Sequence, residues 1–249
     1  KKSLSAKNLV FRYPGAGRNA LDGVNFTVHK GEKIAVVGEN GSGKTTFIKL
    51  LSGIYDCDEG EILINGEPVK DIAKLRNSIS VIFQDYAKYR TYIKENITVG
   101  DVNRTYTDDD IRDAARQTDI DSYIETLDDK YDTKLGCFSD SYLDLSGGQW
   151  QKLALSRLLF KNDAKMMILD EPTASLDPLA EADIYANFFH LTKDKTALFI
   201  SHRLGITKVV DRILVFRDGT VAEQGTHDEL IAANGVYADM YKSQAQWYK

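Results

Sequence analysis

Apolar and polar residues alternate through residues 3–30, most clearly where Val24, Phe26 and Val28 fall on one side and Asn25, Thr27 and His29 on the other. A period of two is that of a strand with one buried face. Glu61 to Val69 alternates in the same way, with Asn65-Gly66 placed as a tight hairpin turn, a residue pair that accepts positive φ at both positions. These segments predict a small antiparallel sheet. Ile34–Val37, Met166–Leu169, Ala197–Ile200 and Ile213–Phe216 show a different pattern, short continuous apolar runs. Such runs suit parallel strands covered on both faces. Helical patterns lie between them, so the fold class expected is α/β.

The stretch from about Asp85 to Lys161 is rich in Asp, Tyr, Arg and Gln and has no clear strand. Thr107-Asp108-Asp109-Asp110 ahead of Ile111 reads as a helix start: threonine can cap, and the acids suit the positive end of the helix dipole. This stretch predicts an inserted α-helical subdomain. The whole of 1–249 is expected to be a single domain, with a core and β subdomain from 1–84 and 162–249 and the helical subdomain over about 85–161.

Composition narrows the picture. A formal net charge of -5 over 249 residues gives no electrostatic reason to expect nucleic acid as a partner. Cys57 and Cys137 lie far apart with no metal-ligand spacing, which suits structural thiols in a reducing compartment. No apolar stretch exceeds strand length, and the N-terminus has no secretory signal pattern. The chain starts at Lys1 rather than Met, as a fragment or processed chain does. A membrane-spanning part upstream or on another chain therefore stays open.

Chemistry concentrates in three places. Gly38-Glu39-Asn40-Gly41-Ser42-Gly43-Lys44-Thr45 has the form GxxxxGK[ST] between an apolar strand and a helix pattern that starts at Thr46. In that context glycines let the loop amides turn inward around phosphate oxygens. The helix N-terminus adds positive potential, Lys44 is placed to bridge β- and γ-phosphates, and the Thr45 hydroxyl is placed to ligate Mg²⁺. The loop thus predicts a nucleoside triphosphate. Second, Asp170 and Glu171 end an apolar strand. Asp170 can hold the Mg²⁺ shell, and alternation points Glu171 elsewhere, toward an attacking water. Third, Leu145-Ser146-Gly147-Gly148-Gln149 precedes a helix pattern from Trp150 to Phe160, with Ser146 as its cap and Leu155, Leu158 and Leu159 on its apolar face.

These three segments, in this order and spacing, resemble the nucleotide-binding domain of ATP-binding cassette (ABC) transporters, which is a P-loop NTPase core with a small antiparallel β subdomain and an inserted helical subdomain. The resemblance runs from Leu4 to about Tyr241 and implies ATP and Mg²⁺ as cofactors. It implies that Glu171 is the general base, that Tyr13 stacks on adenine, and that Gln84 reaches Mg²⁺ and the attacking water. It also implies that His202, in Ser201-His202-Arg203-Leu204, contacts the γ-phosphate, while His29, His190 and His227 are structural or exposed. Ser146, Gly147, Gly148 and Gln149 would meet the ATP of a second cassette in a head-to-tail dimer, with Asp177 in a loop across that interface.

Ile200-Ser201-His202-Arg203-Leu204, Asp211-Arg212-Ile213, Gly225-Thr226-His227 and Glu229-Leu230 resemble the bacterial exporter branch. Two segments depart from it: Asp85–Arg90 after Gln84, and Ser139–Leu143 before the glycine-rich turn. Both lie where the family contacts its membrane domain. The resemblance implies a transport-coupled ATPase at the cytoplasmic face of the cell membrane, working with a second cassette and a transmembrane domain. The alternatives are a soluble cassette ATPase acting on DNA or ribosomes, and a module that holds ATP without turnover. The first finds no long coiled coil and no second cassette here; Lys44, Asp170, Glu171 and His202 argue against the second.

Overall fold

The computed structural model describes residues 3–136, 143–170, 185–186, 188–202 and 204–246. Contacts divide the chain into two compact units, Lys1–Val81 with Lys165–Lys249, and Ile82–Ala164.

The first unit contains two sheets. In the smaller, β1 (Ser3–Phe11), β2 (Leu21–His29), β4 (Glu59–Ile64) and β5 (Glu67–Pro68) are ordered β2-β1-β4-β5 and paired antiparallel. On β2, Leu21, Val24, Phe26 and Val28 are buried while Asp22, Asn25 and His29 are exposed, as the period of two requires. The β4–β5 hairpin turns at Asn65 and Gly66, with φ of 56° and 85°. Two positive φ values give the turn the twist of its strands.

The larger sheet runs β10-β9-β3-β8-β7-β6. Its members are β3 (Lys33–Gly38), β6 (Ile79–Ile82), β7 (Met166–Asp170), β8 (Thr196–Ile200), β9 (Arg212–Arg217) and β10 (Thr220–Gly225). The pairs β3–β8, β3–β9 and β7–β8 are parallel, and β3, β7 and β8 are buried at every position. The continuous apolar runs follow from that double cover. The sheet is nevertheless mixed, because β9 also pairs antiparallel with β10. Helix α1 (Lys44–Leu51) buries Phe47, Ile48, Leu50 and Leu51, and α2 (Ile72–Ser78) is capped by Asp71. The unit ends in α7 (His227–Ala233) and α8 (Val236–Gln246).

The second unit is helical. It holds α3 (Ile93–Thr98), α4 (Asp108–Gln117), α5 (Asp121–Ile124) and α6 (Gly147–Phe160) around Ile97, Ala115, Ile124, Trp150 and Leu153. Only isolated bridges, Tyr92 with Lys134 and Leu135 with Leu143, add strand-like pairing among its described residues. Thr107 closes a capping box with Asp110, so the amides of these two residues at the start of α4 are satisfied. Helix α6 departs from the expected single apolar stripe. Gln151, Ala154 and Ser156 are buried along with its leucines, so burial runs round most of the helix.

Candidate nucleotide site

Strand register places the candidate groups at one edge of the larger sheet. Val36 of β3 and Asp170 of β7 are both in register with Ile200 of β8. The phosphate loop, the segment through Ser201 and His202, and the Asp170 carboxylate therefore all leave the sheet at the carboxyl ends of adjacent parallel strands. That is where open α/β sheets bind ligands, because the loops diverge there.

The loop's shape follows from its glycines. Gly38, Gly41 and Gly43 have φ of 151°, 78° and 108°. A Cβ on Gly38 would stand 2.3 Å from the Phe216 carbonyl oxygen and 2.8 Å from Ser42 Oγ, so only glycine fits. Gly43 is the N-cap of α1 and offers no side-chain cap, leaving the first amides of the helix for another acceptor. Ser42 Oγ is buried with no hydrogen-bond partner among the described residues, which suits a ligand oxygen. Lys44 is buried, and its Nζ donates to the carbonyl oxygens of Gly38 at 2.7 Å and Glu39 at 2.9 Å. The expected helix start at Thr46 moves back to Lys44, because a left-handed glycine can open a helix without a polar cap. Asn40 and Thr45 are exposed and Thr46 is buried.

Tyr13 lies beside the loop, its hydroxyl 3.1 Å from Thr46 Oγ1. Its ring meets Phe11 edge-on at 5.0 Å and Tyr55 at 5.8 Å. A cavity of about 700 Å³ beside it is lined by Arg12, Tyr13, Asn19, Asp58 and Glu59. A second cavity of about 690 Å³ joins Gly38–Ser42 to His202, Arg18, Arg217 and the α8 residues Asp239, Met240 and Gln244. Tyr55, Arg18 and Gln244 had no sequence signal, since only the fold brings Tyr55 to Tyr13 and the other two to the loop.

The other candidates are placed as follows. Asp170 is buried, at 3% exposure. Gln84 is exposed, two residues beyond β6, and belongs to the second unit. Ser146 also belongs there and caps α6: its Oγ accepts from Gln149 N at 3.2 Å, and its own amide donates to Gln149 Oε1 at 2.8 Å. A Cβ added to Gly147 or Gly148 would meet nothing within 4 Å among the described residues. Glu171, Asp177 and Cys137 lie outside the described residues. Burial pushes the Cys57 thiol up, away from the reactive thiolate. His29 and His190 are exposed, and His227 Nδ1 lies 2.7 Å from the Tyr237 hydroxyl.

Comparison with known proteins bears on this geometry. The family model described as ABC transporter matches residues 21–174. The subtilin transport ATP-binding protein SpaT of Bacillus subtilis is 43% identical over 97% of this chain and 40% of its own length. The ATP-dependent lipid A-core flippase of Hahella chejuensis is 39% identical over 97% of this chain and 41% of its own. The nisin transport ATP-binding protein NisT of Lactococcus lactis is 38% identical over 95% of this chain and 40% of its own. A solved structure of a bacterial Atm1-family ABC exporter with ATP bound superposes with a TM-score of 0.86 at 35% identity, over 98% of this chain and 42% of that one. The chain thus spans about two fifths of the length of these relatives.

Proposed function

The chain belongs to the ABC transporter family, and from that premise we propose that it is the ATP-hydrolysing motor domain of an exporter. It closes head to tail with a second cassette around two Mg-ATP and drives a membrane domain from the cytoplasmic face of the membrane. The observation that carries the reading is the loop Gly38–Thr45, with an orphan Ser42 hydroxyl, an uncapped helix start and a buried lysine beside Asp170 and His202 at one sheet edge. Among the described residues no helix is long and apolar enough to cross a membrane, so the transmembrane work falls to another segment or chain.

The donor set fits a magnesium nucleotide. The Thr45 hydroxyl and Asp170 carboxylate are hard oxygen donors of the kind Mg²⁺ takes, and they would hold the ion. When bound, the ion neutralises charge on the β- and γ-phosphates. Lys44 exchanges its loop carbonyls for phosphate oxygens and stabilises the charge that develops as the γ-phosphoryl transfers. Glu171 takes a proton from the attacking water while His202 steadies the γ-phosphate. The bond to the β-phosphate oxygen breaks, giving ADP and phosphate. Tyr13 supplies a ring face for adenine.

The glycine-rich turn supports a second cassette. Glycine in a helix costs roughly 0.5–1 kcal/mol against alanine, yet among the described residues no packing neighbour demands Gly147 or Gly148. Their use is explained if another chain's phosphate approaches the start of α6, beside the Ser146 cap. An interface in which each cassette gives a loop and receives a turn closes with two-fold symmetry.

The test is light scattering on a Glu171→Gln variant with and without Mg-ATP, with phosphate release measured on the wild type. An ATP-dependent dimer and a turnover that the variant lacks are expected. A variant that turns over ATP at the wild-type rate would remove Glu171 from its role. A chain that binds no ATP would undo the phosphate-site reading.

A further inference from the structure

Helix α8 reaches the segment that carries His202 by two separate routes. At its start, the Glu223 carboxylate of β10 accepts from the amides of Val236 at 2.8 Å and Tyr237 at 2.9 Å. That contact satisfies orphan helix amides and places a negative charge at the positive end of the dipole, so the helix is anchored before it reaches the site. Tyr237 is fully buried. Its hydroxyl donates to Thr207 Oγ1 at 2.6 Å, and Thr207 in turn donates to the Leu204 carbonyl oxygen at 2.6 Å.

Two helical turns further on, Gln244 makes the second and more direct connection. Its Oε1 accepts from the Leu204 amide at 3.0 Å, and its Nε2 donates to the His202 carbonyl oxygen. The pattern fixes the orientation of the amide, because turning it over would set two acceptors and two donors face to face. A glutamine is also the residue the position needs: a carboxylate cannot donate to a carbonyl. Gln244 and His202 line the same cavity as Gly38–Ser42. The main chain is thus gripped at the His202 carbonyl itself and at the amide of Leu204, while the histidine faces the phosphate loop's cavity.

We propose that Gln244 is a positioning residue for ATP hydrolysis, holding the backbone of His202 so that its imidazole is presented to the γ-phosphate. The inference rests on the motor reading above and extends it to the C-terminal helix. Gln244 touches main-chain groups of His202 and Leu204 rather than the loop's phosphate-binding amides, so its loss acts on the chemical step more than on nucleotide binding. Orienting groups of this kind matter because a small misplacement of a catalytic side chain is costly in rate.

Hydrolysis rates, binding of a fluorescent ATP analogue and thermal melting are compared for the full 249-residue chain and its Gln244→Ala, Gln244→Glu, His202→Ala and His202→Ala/Gln244→Ala variants. Gln244→Ala is expected to lower kcat about tenfold with analogue affinity nearly unchanged. Gln244→Glu keeps the side chain's shape and sets a carboxylate against the His202 carbonyl, so it slows turnover even if the alanine variant folds poorly. A purely structural role would slow the His202→Ala background as much as the wild type. A positioning role adds nothing once the imidazole is gone. A kcat for Gln244→Ala and Gln244→Glu equal to that of the wild type, or full additivity with His202→Ala, would overturn the inference alone. Absence of turnover in the wild type would overturn the ATPase reading and the inference with it.

Discussion

Lys44 Nζ donates to the Gly38 carbonyl oxygen at 2.7 Å, so the lysine braces the loop whose phosphate it is proposed to hold. Lys44→Ala removes both the phosphate contact and the donor to two loop carbonyls. Losing a charged donor aimed at developing phosphate charge is worth roughly 10²–10³ in kcat. Phosphate release from Lys44→Ala at the wild-type rate would exclude the lysine from the reaction. Leaving a buried carbonyl unpartnered costs about 1–3 kcal/mol, so the melting temperature should fall as well.

Gly38→Ala tests the loop's geometry without touching its charge. The added Cβ would lie 2.3 Å from the Phe216 carbonyl oxygen, against a backbone at φ of 151°. The Cβ is fixed directly to the backbone of β3 and the carbonyl belongs to the main chain of β9, the adjacent strand, so neither can swing aside. Overpacking at such a site costs typically 1–3 kcal/mol. Calorimetry should show a lower transition temperature together with lost nucleotide binding. An alanine variant that melts and binds like the wild type would mean the loop tolerates a different path.

What was legible in the sequence was what is decided locally. Continuous apolar runs marked β3, β7, β8 and β9 because strands covered on both faces have no polar side. Asn65-Gly66, Thr107 and Ser146 marked their turn and caps because the chemistry lies within a few residues of the chain. The strand β10 is an edge, only partly buried along its length, and so carries little apolar pattern. The Gln244 grip on Leu204 and the Tyr237–Thr207 bond join positions separated by 40 and 30 residues; no periodicity encodes such a meeting. Tyr55, which closes an aromatic cluster with Phe11 and Tyr13, was hidden for the same reason.

Tyr13 offers two separable contributions, a ring face and a hydroxyl 3.1 Å from Thr46 Oγ1. Tyr13→Phe keeps the ring and loses only a part-buried neutral hydrogen bond, worth about 0.5–1.5 kcal/mol. Tyr13→Ala removes the stacking surface for adenine. Titration with a fluorescent ATP analogue should show affinity falling roughly tenfold or more for alanine and little for phenylalanine, with the chemical step nearly unchanged in both. Equal affinities for Tyr13→Ala and wild type would sink the stacking role.

Gly148→Ala separates stability from function. The added methyl meets none of the described residues within 4 Å, and alanine is the better helix former by roughly 0.5–1 kcal/mol. The variant should melt at the wild-type temperature or slightly above it. Its ATP-dependent dimer, measured by light scattering in the Glu171→Gln background, should weaken, because the methyl stands where a partner's phosphate is proposed to approach. A more stable variant with undiminished dimerisation would leave the glycine without a role at an interface.

Tyr237 gives a pH dependence whose sign is fixed by its surroundings. Burial is the main cause that pushes its phenol up from 10.0 to about 12, and the charge of Tyr241 adds to it. Below pH about 10 the phenol keeps its proton in folded and unfolded chains alike, and its contribution to stability is complete. Between about 10 and 12 the unfolded chain releases the proton and the folded chain retains it. The folded state then binds more protons, so stability falls as pH rises through that window. Tyr237→Phe should be less stable at neutral pH, having lost the bonds to Thr207 and His227. Its melting temperature should nevertheless decline less steeply than that of the wild type above pH about 10. Parallel declines for the two proteins would show that the phenol titrates at its ordinary value, and the buried link from α8 to Thr207 would then lose its support.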